Sequence, residues 1–324
     1  MQSVSKRNID VATARQMVAA AFGAHAAIGR YAELRDGYFN AAYQIDMADG
    51  RRAVLKVAPS PSVRVMRYEH GILGSEVHML RMVREYTNVP IPEVYFHDDS
   101  LTIVDSAYFL MSFVTGKAYN QVRESFTPQR RAIVEQTIGT YLRQINAISG
   151  PYFGYPVHAG RGYTSWRQAF LAMFEDLLQD GLEKRVGLPI AYDTLRRQVE
   201  AAAPALDDVR APQLVHWDLW DGNIFVDPKT GLVTGLIDFE RALWGDPLME
   251  FQYRTLEVSP AFESGYGAAL LDAPGARIRR MLYNLYLYLI MVIECTYRHY
   301  ETDDQERWAR QQLAGRLARH GGRR

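Results

Sequence analysis

The stretch LVHWDLWDGNIFVDPKTGLVTGLIDFERALWGDP, residues 214–247, mixes polar side chains with apolar runs. His216, Asp218, Asn223 and Asp238 all lie close to segments such as IFV and LVTGLI. Polar groups beside buried strands are costly unless they are satisfied by hydrogen bonds or put to use. The stretch is therefore either a polar hairpin with its groups satisfied, or a site for a metal ion and a substrate.

Phosphoryl transfer from a nucleoside triphosphate needs these residue types. Mg²⁺ prefers oxygen ligands, which the carboxylate of Asp238 and the side-chain carbonyl of Asn223 can supply. The acceptor hydroxyl needs a carboxylate, here Asp218, that orients it and receives its proton. The spacing His-x-Asp-x-x-x-x-Asn at 216–223, followed by Asp-Phe-Glu at 238–240, is typical of kinase catalytic loops and metal-binding turns.

A lysine and a glutamate earlier in the chain complete this pattern. Lys56 ends the strand-like run AVLK, and Glu76 lies in the amphipathic segment that follows. In kinases a lysine held by a glutamate neutralises the α- and β-phosphates. Taken singly, Lys56 could be a surface lysine, Glu76 a solvated helix residue and Asp238 the cap of a turn. Their order along the chain favours kinase chemistry.

With these residues in place, the sequence resembles the aminoglycoside phosphotransferase and choline kinase-like superfamily of small-molecule kinases. The resemblance covers most of residues 30–255. The segments that carry it are HWDLWDGNIFVD, GLIDFERALWGDP, AVLKV, GSEVHML, NVPIPEV, LMSFVTG, PYFG…SWRQAF and FNAAYQI. It implies a bilobal α+β fold like that of protein kinases. A small antiparallel sheet with one main helix would form the N-terminal lobe, and the larger C-terminal lobe would be mostly helical.

The resemblance also implies roles for the residues of the second half. Asp218 would be the catalytic base, and Asn223 and Asp238 would be the Mg²⁺ ligands. His216 would brace the loop rather than transfer protons. Asp246 would be a structural acid that steadies the region from the start of the next helix.

For the first half, the resemblance implies a nucleotide site for ATP or GTP. Lys56 would contact the α- and β-phosphates, and Glu76 would be its ion-pair partner. Asn40 would belong to the loop over the phosphates. The backbone of Ser112 and Val114 would hydrogen-bond the nucleobase.

Two departures from the family pattern concern the acceptor and the phosphate loop. Trp217 stands where a small residue is usual, and Trp-Asp-Gly at 220–222 replaces the commoner His-Pro-Gly, which puts the acceptor in doubt but not the chemistry. The stretch RDGYFNAA has only Gly37, so its phosphate cover contains fewer glycines than that of protein kinases.

The leading hypothesis is an ATP- or GTP-dependent phosphotransferase that acts on a hydroxyl of a small polar molecule, either an aminoglycoside antibiotic or a metabolite. The alternatives are a non-catalytic nucleotide-binding pseudokinase and an enzyme that transfers a nucleotidyl group. A polycationic aminoglycoside needs a carboxylate-lined cleft, for which Glu240, Glu250, Asp272 and Glu294 are candidates. The sequence alone does not show that these four converge.

The secondary-structure pattern separates a sheet-rich half from a helical half. A helix is predicted at 10–23, a hairpin with an Asp49-Gly50 turn within 37–57, a helix at 69–86, and strands in VPIPEVYF and AYFLMSFV. The second half shows helical patterns at 128–148, 165–183, 190–206, 246–265 and 276–319. We therefore place a nucleotide-binding N-terminal lobe at 1–115 and a helical C-terminal lobe, with the catalytic loop and the acceptor site, at 116–324.

Composition limits the classes of partner and compartment. The 324 residues contain 37 Lys plus Arg and 37 Asp plus Glu, and this zero net charge argues against nucleic acid as a partner. Cys295 is the single cysteine, so a reducing compartment is favoured over a disulfide framework. The first twenty residues lack an apolar signal sequence, and the apolar run at 282–295 is too short for a bilayer crossing. We predict a cytoplasmic protein without a membrane partner, and the oligomeric state stays open.

Overall fold

An antiparallel sheet forms the N-terminal part of the chain. The computed structural model describes residues 6–34, 39–156, 160, 162–252, 259–267, 273, 275–300 and 302–320. Within these residues the sheet has five strands in the order β1-β2-β3-β5-β4. They are β1 (Ile28–Leu34), β2 (Ala41–Met47), β3 (Arg52–Val57), β4 (Val94–Asp98) and β5 (Tyr108–Ser112). The β2–β3 hairpin turns at Gly50 (φ 89°), as the Asp-Gly signal predicts.

One helix covers each face of this sheet. Helix α1 (Val11–Phe22) begins after Asp10, whose carboxylate accepts a hydrogen bond from the Thr13 N–H at 2.7 Å. It packs on the face that carries Leu55, whereas α2 (Ile72–Tyr86) packs on the face that carries Val54. Side chains alternate between the two faces of a strand, so Lys56 lies on the α2 side with Val54. This alternation brings the lysine to the helix that carries Glu76.

The chain then enters a mostly helical part through a short second sheet. Strand β6 (Lys117–Ala118) pairs with β8 (Ile224–Val226), which pairs with β9 (Val233–Leu236). Before β6, Gly116 has φ 111°, and a Cβ atom there would lie 2.5 Å from the carbonyl oxygen of Val226. The five-stranded sheet therefore ends at Ser112 and the next sheet begins at Lys117. A lobe boundary between residues 115 and 116 stays a prediction.

Helices make up most of the remaining structure. They are α3 (Tyr119–Val122), α4 (Pro128–Asn146), α5 (Trp166–Glu183), α6 (Tyr192–Ala202), α7 (Pro260–Tyr266), α8 (Ala276–Arg298) and α9 (Asp304–His320). A short ladder of β7 (Gln213–Val215) with β10 (Leu243–Gly245) lies among them. A small antiparallel sheet joined to a larger helical part is the bilobal, kinase-like α+β fold that the sequence predicts.

Two predicted helices differ from those observed. The segment predicted as a helix at 246–265 starts as a 3₁₀ turn, Pro247–Gln252, and its α-helix begins only at Pro260; residues 253–258 lie outside the described part of the chain. The predicted helix at 276–319 is two helices, because His299 adopts a left-handed conformation (φ 49°) that ends α8. In the described part of the chain, every helix is too short or too polar to cross a membrane.

Candidate active site

Lys56 lies between two carboxylates that come from different parts of the chain. Its Nζ atom is 2.7 and 2.8 Å from the two carboxylate oxygens of Glu76, and 2.7 Å from Oδ1 of Asp238. Burial alone would lower the pKa of Lys56, but the negative charges of Asp238 and Glu76 outweigh it and raise this pKa. Burial likewise disfavours the charged form of Asp238, and the Lys56 ammonium outweighs burial and lowers that pKa. The structure therefore brings three predicted site residues into contact: Lys56, Glu76 and Asp238.

Glu240 also lies beside Lys56, Glu76 and Asp238. The sequence pattern did not predict this position for Glu240. Its Oε2 atom accepts a hydrogen bond from Nδ2 of Asn40 at 2.8 Å, between residues 200 positions apart. Burial, followed by repulsion from Asp238, raises the pKa of Glu240 to about 8. Asn40, which the resemblance placed over the phosphates, is therefore next to residues 238–240, which we call the acidic turn. The sequence signal that could have placed Glu240 in the site is its position two residues after Asp238.

Three carboxylates share this small volume with a single ammonium group. One oxygen from each of Glu76, Asp238 and Glu240 lies within 4.8 Å of the others, a spacing that a metal ion could bridge. Burial, partly offset by Lys56, raises the pKa of Glu76 to about 7. Like charges in a buried site either take up a proton or attract a cation. The cluster is therefore suited to bind a hard divalent cation through oxygen ligands.

Asp218 and Asn223 are brought together by the loop between β7 and β8. The side-chain amide of Asn223 donates to the backbone carbonyl of Asp218 at 2.9 Å and to its Oδ2 atom at 3.2 Å. The backbone carbonyl of Asn223 accepts a hydrogen bond from the Ile237 N–H at 3.0 Å. This bond joins the loop to the residue before Asp238. Asp218 itself is half-buried, so its carboxylate is accessible to a substrate.

Two non-glycine residues of this site adopt the left-handed backbone conformation. Trp217 has φ 63° and Asp238 has φ 70°. Such conformations are uncommon outside glycine, asparagine and aspartate, and they persist where the surrounding structure fixes them. Each one directly sets the direction of a carboxylate, that of Asp218 in the first case and of Asp238 in the second.

His216 is held as a neutral ring by its two neighbours. Its Nε2 atom lies 3.1 Å from the carbonyl oxygen of Ile237, and its Nδ1 atom lies 3.2 Å from the Asp218 N–H. A ring that donates from Nε2 and accepts at Nδ1 satisfies both contacts without a net charge. Burial lowers the pKa of His216 to about 4, against an opposing effect of Asp238. These two contacts join the ring to both ends of the site, and the bracing role that the resemblance implies for His216 stays a prediction.

A buried acid beneath the catalytic loop was missed at the sequence level. The carboxylate of Glu250 accepts hydrogen bonds from the backbone N–H groups of His216 (2.6 Å) and Trp217 (3.2 Å), and from Asn146 of α4 (3.1 Å). The Asn146 side chain in turn accepts from the Tyr266 hydroxyl at 2.7 Å. Nothing in the local pattern around Glu250 signals this contact, since its partners come from two distant segments.

Asp246 anchors the same region from the other side. Its carboxylate accepts hydrogen bonds from Arg279 Nε at 2.9 Å, from the Tyr283 hydroxyl at 2.6 Å and from the Leu248 N–H at 3.0 Å. Arg279 and Tyr283 both belong to α8. Asp246 thus ties the chain after the acidic turn to the longest described helix.

The tryptophans of the catalytic loop occupy different environments. Trp217 is fully buried, and its ring stacks on Tyr286 of α8 with centroids 6.0 Å apart. Trp220 is 39% exposed, and its ring covers Gly222 so closely that a Cβ atom there would lie 2.2 Å away. The extra bulk at 217 therefore fills the protein interior, while that at 220 lies at the surface of the loop.

The predicted nucleobase contacts lie at the end of β5. The Ser112 N–H already donates to the Glu93 carbonyl at 2.8 Å, so Ser112 has only its carbonyl to offer a base. Val114 makes no backbone hydrogen bond within the described residues, and its side chain packs against Gly235 of β9. A contact of these two residues with the base stays a prediction.

Three of the four acids proposed for an aminoglycoside cleft are in the described part of the chain, and these three do not line one common cleft. Glu240 belongs to the Lys56 cluster, and Glu250 lies beneath the catalytic loop. Glu294 is buried and pairs with Arg241 at 2.9 Å. Asp272, like Gly37 of the phosphate loop, lies outside the described residues.

Similarity to known sequences is consistent with this geometry. Residues 30–282 match the model of the APH phosphotransferase enzyme family. A probable ketoamine kinase of Vibrio cholerae serotype O1 is 26% identical over 228 residues, which cover 65% of this chain and 71% of that protein. A probable acyl-CoA dehydrogenase, IBR3, of Arabidopsis thaliana is 24% identical over 228 residues, 67% of this chain. The aligned part spans only 26% of that longer relative.

Solved structures with the same fold include aminoglycoside phosphotransferases. A thermostable mutant of APH(4)-Ia, in ternary complex with AMP-PNP and hygromycin B, matches with a TM-score of 0.66 and 19% identity. The match covers 96% of this chain and 99% of that one. The GDP complex of wild-type aminoglycoside 2'-phosphotransferase-IIIa matches with a TM-score of 0.65 and 16% identity over 96% of this chain and 100% of that one. At these identities the likeness concerns the fold.

Proposed function

The chain belongs to the phosphotransferase enzyme family and is a small-molecule kinase, and from this premise we propose that it transfers the γ-phosphoryl group of ATP or GTP to a hydroxyl of a small polar molecule. The observation that carries the proposal is the buried Lys56, held between Glu76 and Asp238 beside the loop that presents Asp218 and Asn223. Ketoamine kinase relatives and neighbours in complex with AMP-PNP or GDP support it.

The donor set of the site fits Mg²⁺. Asp238 and Asn223 offer a carboxylate and a carbonyl, and Glu240 adds a further oxygen close to Asp238. Three buried or half-buried carboxylates with a single lysine carry more negative charge than the lysine can balance, so a divalent cation would be favoured there. When bound, Mg²⁺ neutralises charge on the phosphates that it contacts.

Each residue of the site then has its own role in the reaction. Lys56 exchanges its contact with Asp238 for the α- and β-phosphates while Glu76 keeps it in place. Asn40 lies over the phosphates, and the backbone of Ser112 and Val114 binds the nucleobase. Asp218 orients the acceptor hydroxyl for in-line attack on the γ-phosphorus.

The covalent change balances within these groups. The acceptor oxygen forms a bond to the γ-phosphorus as the bond between that phosphorus and the β,γ-bridging oxygen breaks. The hydroxyl proton passes to the Asp218 carboxylate, and the nucleoside diphosphate leaves. His216, held neutral, keeps the loop in position and transfers no proton.

The alternative functions lack an observation in their favour. A non-catalytic pseudokinase is expected to have lost at least one of the groups that the chemistry needs, yet Lys56, Asp218, Asn223 and Asp238 are all present and grouped. Nucleotidyl transfer would leave a nucleotide-sized addition on the product, which mass spectrometry distinguishes from a phosphate. A cytoplasmic location stays a prediction that follows from the single Cys295.

The test is a phosphorylation screen with the whole chain, nucleotide, Mg²⁺ and a panel of sugars, amino alcohols and aminoglycosides. For an accepted substrate, Asp218→Asn should lower turnover by at least ~10²-fold while nucleotide binding is retained. Asp227→Asn is the matched control, because Asp227 caps the turn at the opposite end of the same hairpin. The proposal would be contradicted if the wild type did not bind nucleotide, or if Asp218→Asn kept full activity.

A further inference from the structure

A small cavity lined by tyrosines lies between α5, α8 and the segment before α2. Its volume is about 30 Å³, which gives room for one or two water-sized groups. We call it the tyrosine cavity. The side chains that define it are Tyr68, Tyr155, Tyr163, Tyr286, Met173 and Leu177.

Two ring contacts connect the tyrosine cavity with the candidate active site. Tyr286 stacks on Trp217, the residue before Asp218, with centroids 6.0 Å apart and an interplanar angle of 22°. The Arg241 guanidinium lies 6.0 Å from the centroid of Tyr68, and Arg241 directly follows Glu240. Two residues that line the cavity, Tyr286 and Tyr68, therefore contact the catalytic loop and the acidic turn, beside which one end of an acceptor would lie.

The N-terminal part of the chain neutralises the acidic groups beside this cavity. Arg67 donates to Asp180 from its backbone N–H at 2.9 Å and also from its guanidinium. The Arg67 guanidinium pairs with Glu183 as well, and Glu183 pairs with Arg64. Two carboxylates of α5 are thus balanced by two arginines of the segment between β3 and α2. A polycationic acceptor would have to displace these arginines before it could contact the two carboxylates.

Few polar groups remain for a ligand in the tyrosine cavity. Of the two carboxylates that line it, Asp176 makes no ion pair with the described residues, in contrast to Asp180. The Tyr68 hydroxyl is buried and has no hydrogen-bond partner within the described part of the chain. One carboxylate, one hydroxyl and several ring faces suit an apolar group with a single polar or cationic end.

We propose that the tyrosine cavity binds the end of the acceptor, and that the acceptor is a compact alcohol with at most one positive charge. This inference rests on the proposed function, because it takes Asp218 as the group that orients the hydroxyl. It selects against a polycationic aminoglycoside, since such a molecule needs several unpaired carboxylates and the described acids near the site are already paired or buried elsewhere. Because the tyrosine cavity is small, only a narrow end of the acceptor can enter it.

The experiment compares three sets of alcohols with the whole chain at saturating nucleotide and Mg²⁺: neutral alcohols, alcohols with one amino group, and aminoglycosides. Binding is measured by calorimetry in the presence of AMP-PNP, and transfer by release of the nucleoside diphosphate. We expect kcat/KM for the best compact alcohol to exceed that for the best aminoglycoside by at least about tenfold, the scale of one charge-assisted contact. The reverse order, or no binding of any compact alcohol to the nucleotide-bound protein, overturns the inference.

Three variants separate the contacts. Asp176→Asn should raise KM about tenfold for singly charged alcohols and leave neutral ones unchanged, whereas Tyr68→Phe should raise KM for acceptors with a polar end and leave nucleotide binding unchanged. Arg67→Gln should improve aminoglycoside binding, because it removes the guanidinium from Asp180 and leaves Glu183 paired with Arg64 alone. Arg67→Lys is its charge-preserving control. Equal effects of Asp176→Asn on all three sets overturn the assignment of the cavity. Failure of the proposed function is distinct, because the wild type would then transfer phosphate to none of the three sets of alcohols, whether or not it binds nucleotide.

Discussion

At the residue scale, Lys56 is the group on which the electrostatics of the site depend. Three buried or half-buried carboxylates surround it, and two of them, Glu76 and Glu240, have pKa values raised to about 7 and 8. Asp238 stays charged because the lysine contacts it directly. Without Lys56 the three acids would repel one another at close range, so the lysine keeps the acidic turn in place, in addition to the phosphate contact proposed for it.

We therefore expect Lys56→Met to lower kcat/KM for the nucleotide by at least ~10²-fold, which is the scale of removing one group that stabilises developing charge. Lys229→Met is the matched control, because Lys229 lies in the exposed β8–β9 turn away from the cluster. Steady-state kinetics at varied nucleotide concentration measures both. Wild-type kinetics in Lys56→Met would remove Lys56 from the phosphate site.

His216 gives a second prediction at this scale, on pH. Its pKa in the folded protein is lowered to about 4 from an ordinary value near 6.5. Since the unfolded chain takes up the proton first, the stabilisation from neutral His216 is complete above pH 6.5. It is lost as pH falls toward 4, by ~3 kcal/mol in total.

Proton NMR of the histidine rings measures this pKa directly. The resonance that disappears in His216→Asn identifies the ring among the eight histidines. We expect this resonance to keep its neutral chemical shift down to pH 5. Titration of the His216 ring near neutrality would mean that it is not held between Ile237 and Asp218.

Residue types and their order predicted the grouping of Lys56, Glu76 and Asp238, and of Asp218 with Asn223. The sequence could not predict that Glu250 holds the catalytic loop or that Glu240 faces Asn40. Those contacts depend on which carboxylates share a buried volume, and this is decided by packing between segments that are up to 200 residues apart. Local pattern carries no information about such distances.

At the element scale, α8 connects the C-terminal helices to both parts of the site. Glu294 of α8 pairs with Arg241 of the acidic turn at 2.9 Å and with Arg298 at 3.3 Å. Arg298 in turn pairs with Glu69, just before α2, and lies over the ring of Phe39 next to Asn40. The end of α8 therefore holds the segments that carry Asn40, Glu76 and Glu240.

Removal of Glu294 should destabilise the fold strongly. Glu294→Ala leaves two buried guanidinium groups with one partner fewer, which costs ~3–5 kcal/mol when a buried pair is broken. Glu306→Ala on α9 breaks a more exposed pair with Arg310 and should cost below ~1 kcal/mol. Urea unfolding curves compare the two. Similar costs for both variants would show that the Glu294 network adds no more than a surface pair.

Elements with strong local signals were predicted, and those made by tertiary contacts were not. Capped α1 and the β2–β3 hairpin follow from Asp10, Gly23 and the Asp49-Gly50 turn. Strand β1 has no clean alternation of buried and exposed residues, because it lies at the edge of the sheet. The two- and three-residue strands β6, β7 and β10 exist only through partners far along the chain, so no local pattern marks them.

At the scale of the whole molecule, polar bonds between distant residues hold the sheet part against the helical part. Asn40 bonds to Glu240, Lys56 to Asp238, and Arg67 to Asp180. The first two lie where the nucleotide phosphates and Mg²⁺ are proposed to bind. Nucleotide binding must therefore replace contacts that already join the two parts, and its effect on stability depends on the cation.

This leads to a prediction about ligand and metal removal. AMP-PNP with Mg²⁺, at about 100 times its Kd, should add ~3 kcal/mol to the free energy of unfolding and raise Tm by several degrees. With EDTA in place of Mg²⁺ the rise should be much smaller, because phosphates and carboxylates would then repel each other across the site. In Asp238→Asn the difference between Mg²⁺ and EDTA should largely vanish, since the variant keeps an oxygen near Lys56 but lacks the charge that favours the cation. Asp227→Asn, at the far end of the hairpin, should behave like the wild type. Calorimetric melts of the three proteins, each with Mg²⁺ and with EDTA, measure these differences. An undiminished Mg²⁺ effect in Asp238→Asn would place the cation elsewhere, and the joint assignment of Asn223 and Asp238 as its ligands would fail.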